Sequence, residues 1–143
     1  MRVKTPVKAD YVELITVWEA SVRATHQFLS EADILSLKSL ILEHYFDAVD
    51  LRIVECDNGN IIGFIGVADE NIEMLFVAPE FFKKGVGSKL LKYAIEHQHA
   101  KKVDVNEQNP AAVGFYQHFG FNIVDRSALD GQGQAFPLLH MQL

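Results

Sequence analysis

The hydrophobic positions follow a helical period in the first third of the chain and a strand period after it. Apolar residues recur at helical spacing after Asp10 and again after Ser30, which predicts two consecutive helices, the second ending near Val49. Asp10 is the predicted cap of the first helix, and Ser30 with Asp33 has the spacing of a capping box. The weak alternation over residues 1–7 predicts an edge strand before both helices.

Three short apolar runs then predict an antiparallel meander, since turn residues separate the first two and Pro79 ends the third. The runs cover residues 51–56, 61–68 and 72–77. An amphipathic helix is predicted from Val86, a strand over 102–105, and a further helix from the Asn109-Pro110 cap to Gly120. Two last strands are predicted over 121–124 and 136–143. The predicted order is β-αα-βββ-α-β-α-ββ, a mixed α/β (α+β) fold in which a crossover helix makes at least one strand pair parallel.

Composition narrows the class of protein. The chain has 143 residues, 49% of them hydrophobic and 22% charged, which predicts one domain over 1–143 with a full core. Cys56 is the single cysteine, so the chain can form no internal disulfide. The sequence shows neither a long apolar run nor a signal-peptide core, so we expect a cytoplasmic protein with no membrane partner.

The charge of the chain is unevenly distributed. The formal net charge is −6, which argues against a nucleic-acid partner because such proteins usually carry a basic surplus. Residues 81–102 nevertheless hold six lysines and one acid, a net of +5, so the remainder carries −11. This distribution predicts a small anionic ligand beside the basic segment.

The loop over residues 82–88 has the composition of an anion site. Gly85 and Gly87 permit a tight turn at the start of a helix, where the first backbone amides lack internal partners and favour anions. Lys83 and Lys84 add positive charge at the same point. The pattern predicts a pyrophosphate cradle; a plain glycine-containing loop with solubilising lysines is the alternative. The loop matches neither the Walker nor the three-glycine dinucleotide motif.

The second motif runs from Val103 to Phe121, with an asparagine after a strand and a helix ending in Phe-Tyr-x-x-Phe-Gly-Phe. Together with the glycine loop it resembles the GNAT superfamily of acetyl-CoA-dependent N-acetyltransferases, and the two motifs cover residues 75–121. Residues 21–29 and 106–109 are similar to those of small bacterial acetyltransferases in that superfamily. The resemblance implies a mixed central sheet of about six to seven strands flanked by about four helices.

The resemblance also implies a role for each motif residue. Acetyl-CoA would be the co-substrate, Asn109 would hydrogen-bond its arm, and Tyr116 would be the general acid that protonates the departing thiolate. Backbone groups of the protein would bind the remainder of acetyl-CoA. Its pantetheine arm would pair with the backbone of Leu75, Phe76 and Val77. Its pyrophosphate would bind the backbone amides of Lys83, Lys84, Gly85, Val86, Gly87 and Ser88. The chain departs from the family where it has Phe82 and Lys83 in place of the usual arginine and glycine, which puts the affinity for coenzyme A in doubt.

The general base is less defined by the sequence. Asp104 is the predicted base because some relatives place a carboxylate on this strand, provided that burial raises its pKa. Glu73, Glu107, His26 or a water molecule are the alternatives. His26 and Asn106 are predicted to contact the acceptor. The remaining histidines show no ligand spacing, so no metal is expected.

The acceptor is predicted only as a primary amine on a small molecule or a peptide. Residues 9–50 hold eight acids and two basic residues, which favours a cationic amine, although helix surfaces are often acidic. Many family members dimerise, so the resemblance is compatible with a homodimer of this protein. The alternative functions are a non-catalytic acyl-CoA-binding sensor or interaction module of the same fold, and an unrelated protein that binds a nucleotide.

Overall fold

A computed structural model describes residues 2–143, which form a seven-stranded sheet in the order β1-β2-β3-β4-β5-β7-β6. The strands are β1 Arg2–Lys4, β2 Asp50–Glu55, β3 Ile61–Ala68, β4 Asn71–Val77, β5 Lys102–Asn106, β6 Asn122–Ser127 and β7 Leu138–Gln142. The pairing of β4 with β5 is parallel and the other pairs are antiparallel. The predicted mixed α/β fold and its element order are confirmed.

The helices are α1 Tyr11–Thr25, α2 Glu31–Leu40, α3 Phe46–Ala48, α4 Val86–His97 and α5 Pro110–His118. A π-helical turn, Ile41–Tyr45, joins α2 to α3, so α1, α2 with α3, α4 and α5 form four α-helical segments within residues 2–143. The predicted capping box is present, with Asp33 N donating to Ser30 Oγ at 3.1 Å and Ser30 N donating to the Asp33 carboxylate at 3.0 Å. Asp10 precedes α1 as predicted but accepts instead from Val7 N at 2.8 Å.

Each face of the sheet is covered by its own helices. One core lies under α4 and α5 and includes Leu90 and Val103, while the other lies under α1 and α2 and includes Trp18 and Phe64. Helices α1, α2 and α3 cover β2, β3 and β4 on one face, so the same face of β5, β7 and β6 carries no helix from the described residues. None of the helices within residues 2–143 is long and apolar enough to cross a membrane.

The sheet separates in its middle. Pairing between β4 and β5 is limited to Asn71 with Lys102 and Ile72 with Val103, after which the two strands diverge. A bulge in β4 accompanies the divergence, because Gly66 pairs with Met74 and Val67 with Ile72, leaving Glu73 between the paired positions. The result is a gap between β4 and β5 that is bounded on one side by α5.

Candidate functional site

A cleft of about 390 Å³ opens at the gap between β4 and β5. Its walls come from the second half of β4, the loop before α4, the first turn of α4 and one face of α5. Most of the predicted cofactor residues line it, namely Leu75, Phe76, Val77, Lys83, Gly85, Val86, Gly87, Ser88 and Asn109. The tertiary structure therefore brings both sequence motifs to one cavity.

The second half of β4 contributes a strand edge. Phe76 and Val77 pair on one side with β3, where Phe64 and Gly63 are their partners. On the other side β5 has already diverged, so the backbone groups of this stretch face the cleft. An unpaired strand edge is the kind of surface to which an extended ligand with amide groups adds as a further strand.

The loop before α4 has the backbone shape of an anion site. Lys83 and Gly85 both have positive φ, +60° and +85°, and Gly85 is the N-cap of α4. A Cβ placed on Gly85 would meet no other heavy atom within 4 Å, so the space outside the loop is open. The first backbone amides of α4 lack intrahelical acceptors and border this space. Lys84 lies outside the cleft lining, with its ammonium 5.5 Å from the centre of the Phe81 ring.

Asn109 lies at the start of α5, on the wall opposite β4. Its Oδ1 accepts from Ala112 N at 3.3 Å, so the side chain caps the helix as its position before Pro110 predicts. The same side chain lines the cleft, where its NH₂ group can donate to a ligand. The cap and the ligand contact are therefore compatible.

Tyr116 lies two turns along α5 and is 6% exposed. Its ring packs against Phe115 and Phe121, with centroid distances of 5.2 and 5.6 Å. The residue lines the cleft, and no hydrogen bond of its hydroxyl contributes to its pKa. Burial raises the pKa of the phenol well above its ordinary value, so the group is protonated at neutral pH.

A smaller cavity of about 110 Å³ adjoins the cleft through the gap. Both cavities are bordered by His26, Asn109 and Tyr116, and the smaller one is also bordered by Glu73 and Asp104. Tyr116 belongs to the core under α4 and α5, whereas Asp104 alternates with buried Val103 and Val105 and so faces the other side of the sheet. The gap thus connects a phenol on one side with two carboxylates on the other.

Asp104 is not buried as its predicted role as base requires. Its side chain is 44% exposed, and its carboxylate accepts from His140 Nδ1 at 2.6 Å. The burial that the sequence analysis attached to this role is therefore absent. Glu73, which lies in the β4 bulge, is exposed and borders the same cavity.

The remaining residues predicted as base or acceptor contacts differ in whether they border the two cavities. Hydrogen bonding to Arg126 lowers the pKa of Glu107, which lines neither cavity and is a poor proton acceptor. His26 is partly buried beside Phe76, and burial lowers the pKa of its imidazole, which is therefore neutral at pH 7. Asn106 borders the smaller cavity, and its Oδ1 accepts from Gln108 N at 2.8 Å.

The sequence did not single out His140 and Ser127 as site residues. His140 precedes buried Met141 on β7, and this alternation predicts that the two side chains lie on opposite faces of the sheet. Only the strand register shows that His140 lies opposite Asp104. In the part of the chain that the structure describes, no three His, Cys, Asp or Glu side chains form a metal-binding group.

Comparison with known proteins identifies the family of the chain. Residues 47–123, just over half of the chain, match the family model of the acetyltransferase (GNAT) domain. The chain is 35% identical to peptidyl-lysine N-acetyltransferase YjaB of Salmonella typhimurium, over 90% of this chain and 88% of that protein.

Solved structures show the same fold. The solution structure of apo-form YjaB from Escherichia coli superposes with a TM-score of 0.87 at 30% identity, over 99% of this chain and 95% of that one. YncA of Salmonella typhimurium, solved with its cofactor acetyl-CoA, gives a TM-score of 0.68 at 20% identity, over 100% and 92% of the two chains. The resemblance predicted from the two motifs is confirmed, and the chain belongs to the GNAT family of acetyl-CoA-dependent N-acetyltransferases.

Proposed function

We propose that this protein transfers the acetyl group of acetyl-CoA to the side-chain amine of a lysine in a peptide or protein. The observation that carries the proposal is the gap between β4 and β5, which connects the Tyr116 hydroxyl with the Asp104 and Glu73 carboxylates. The lysine acceptor is supported by the similarity to a peptidyl-lysine N-acetyltransferase over most of both chains. A carboxylate-lined cavity also suits a cationic amine.

The cleft fits acetyl-CoA, which supplies an acetyl group activated as a thioester. The free edge of β4 at Leu75–Val77 would hold the amide-containing arm as an added strand, with Asn109 donating to it from the opposite wall. The first amides of α4 and the charge of Lys83 would hold the pyrophosphate. These contacts use backbone amides, which are present whatever side chains stand at Phe82 and Lys83.

Tyr116 is the proposed general acid. Burial raises the pKa of its hydroxyl, which keeps the proton in place until a developing thiolate accepts it. Asp104 is the proposed base for the acceptor amine, because it borders the smaller cavity on the far side of the gap. Glu73, His26 and a water molecule remain alternatives for this second role.

A panel of amines tests the function. We expect release of coenzyme A thiol with a lysine peptide whose N-terminus is acetylated, and no release with the same peptide carrying Nε-acetyl-lysine. Spermidine and a lysine-free peptide with a free N-terminus complete the panel. Release with spermidine alone would contradict the peptide acceptor while keeping the acetyltransferase.

A second function is a non-catalytic acyl-CoA sensor of the same fold, because Phe82 and Lys83 depart from the family pattern in the loop. Calorimetry with acetyl-CoA and ATP distinguishes the cases. Binding of acetyl-CoA without thiol release for any amine in the panel would favour the sensor. Binding of ATP in place of acetyl-CoA would reject the assignment of the cleft.

The Gly85→Ala variant tests the anion site separately. We expect the Kd for acetyl-CoA to rise by about 10-fold, because an alanine relaxes out of the left-handed conformation in the free loop and binding must restore that conformation at a cost of roughly 1–2 kcal/mol. Gly59→Ala is the matched control, since Gly59 has φ +87° and equally open surroundings in the distant β2–β3 turn. Both variants should lose similar stability in urea, whereas calorimetry should show weakened binding only for Gly85→Ala; equal Kd values would contradict the cradle.

A further inference from the structure

Two linked hydrogen bonds in the last turn of α1 end on His26. Thr25 Oγ1 donates to the Ser21 carbonyl oxygen at 2.8 Å, and the same Oγ1 lies 2.7 Å from His26 Nδ1. His26 is the C-cap of the helix, and its own N–H donates to the Val22 carbonyl oxygen. Both the backbone and the imidazole of His26 are therefore attached to the end of α1.

The single hydrogen of the Thr25 hydroxyl determines which nitrogen of His26 is protonated. That hydrogen is donated to the Ser21 carbonyl oxygen, which can only accept. Oγ1 can then serve His26 Nδ1 only as an acceptor, so Nδ1 carries the ring hydrogen. In a neutral imidazole the other nitrogen, Nε2, is then unprotonated and accepts hydrogen bonds.

The surroundings of His26 keep its imidazole neutral. The ring packs against Phe28 and Phe76, with centroid distances of 5.3 and 6.2 Å. Burial lowers the pKa of the imidazole, so the ring carries no second proton at pH 7. The apolar neighbours and the Thr25 hydroxyl together define one state of the ring, with a hydrogen on Nδ1 and none on Nε2.

His26 also lies where the two cavities meet. It borders the cleft that would hold acetyl-CoA, and it borders the smaller cavity together with Tyr116 and Asp104. Because Nδ1 contacts Thr25 at the end of α1, Nε2 at the far end of the ring is the nitrogen available to a ligand. The acceptor amine has to enter this same region to reach a thioester in the cleft.

We propose that Thr25 is a positioning residue that keeps His26 Nε2 unprotonated, so that Nε2 accepts a hydrogen bond from the acceptor amine during its attack on acetyl-CoA. This inference rests on the proposed function. A neutral primary amine has two N–H hydrogens and one lone pair. One N–H donates to His26 Nε2, the lone pair forms the new N–C bond, and the other N–H is left for the general base. No proton passes through His26 in this role.

The opposite tautomer of His26 would work against the reaction. A hydrogen on Nε2 would be donated to the lone pair of the amine, which is the electron pair that must form the N–C bond. The tautomer of a histidine is set by the hydrogen bond that its other nitrogen makes. The Thr25 hydroxyl at Nδ1 therefore controls whether Nε2 orients the amine or blocks its attack.

The Thr25→Val variant removes the hydroxyl and keeps the shape of the side chain. We expect kcat/KM for the lysine peptide to fall about 5-fold, the size of one neutral hydrogen bond, with KM for acetyl-CoA within about twofold. Thr25→Ser keeps the hydroxyl and should retain most of the wild-type value. Thr16→Val is the matched control, because Thr16 donates to the Val12 carbonyl oxygen at 3.0 Å on the same helix and borders neither cavity.

A double-mutant cycle with His26 separates positioning from a merely structural effect. His26→Ala by itself should lower kcat/KM for the lysine peptide by about 5-fold to 10-fold. Thr25→Val should then cause no further loss in the His26→Ala background, because it acts only through the imidazole. Losses that multiply in the double variant would overturn the positioning role.

Nitrogen NMR measures the tautomer directly, without any substrate. The His26 ring should be protonated at Nδ1 in the wild type, in Thr25→Ser and in Thr16→Val. Thr25→Val should show both tautomers, since the partner of Nδ1 is lost. A wild-type ring protonated at Nε2 would refute the proposal without a rate measurement.

The outcomes distinguish the inference from the proposed function. A wild-type protein that releases no thiol with any amine refutes the proposed function and the contact with the acceptor together. Normal wild-type turnover with an unchanged kcat/KM in Thr25→Val overturns the inference alone. A loss in Thr25→Val that is absent in Thr16→Val and in the His26→Ala background, with a changed tautomer, supports it.

Discussion

Replacing Tyr116 with phenylalanine is expected to lower kcat for the lysine peptide by about 100-fold, the lower end of the usual range for a general acid. The ring packing against Phe115 and Phe121 is retained, so KM for acetyl-CoA should stay within about twofold. Because burial raises the pKa of the phenol, the wild-type rate should show no descending limb from Tyr116 below about pH 10. An assay of coenzyme A thiol release over pH 6–10 measures both the change in kcat and the pH profile.

The stability of this variant provides an independent check. The Tyr116 hydroxyl is desolvated and no hydrogen bond contributes to its pKa, so its removal should leave the midpoint of urea unfolding unchanged or slightly raised. Tyr93→Phe is the matched control, since its hydroxyl accepts from Arg52 on the far side of α4. Undiminished turnover in Tyr116→Phe, or an equal loss in Tyr93→Phe, would exclude Tyr116 as the acid.

Replacing Leu90 with alanine is expected to lower the free energy of unfolding by about 3 kcal/mol. Leu90 is 0% exposed and attaches α4 to the sheet beside Gly63, where a Cβ would lie 3.3 Å from its Cδ1 atom. The glycine lets the helix approach closely and the leucine fills the space, so truncation leaves a cavity beneath the helix whose first turn borders the cleft. Urea unfolding followed by circular dichroism gives the value.

Leu35→Ala provides the matched control for this loss. Leu35 is 54% exposed on α2, and the same truncation there should cost less than about 0.5 kcal/mol. A ligand that binds only the folded protein stabilises it by mass action, so a saturating concentration of acetyl-CoA should recover part of the Leu90→Ala loss. Equal losses in the two variants would contradict the burial that the structure assigns to Leu90.

The sequence determined most of the fold because its signals are local. The helical spacing after Ser30, the capping box with Asp33 and the Asn109-Pro110 start are read within one or two turns, and each is present in the structure. The positive φ at Gly85 and the helix that starts after it are also local properties of the chain. The family and the role of Tyr116 were predicted instead from the resemblance of the glycine loop and of residues 103–121 to a known superfamily.

The tertiary structure alone decided how these parts meet. The gap between β4 and β5 depends on where their pairing stops, and the exposure of Asp104 depends on which face the helices cover. The hydrogen bonds that join Asp104 to His140 and His140 to Ser127 require the register of three strands that are distant in sequence. Periodicity indicates the face of a residue, but register is set by long-range hydrogen bonds and packing, so no local pattern could have paired Asp104 with His140.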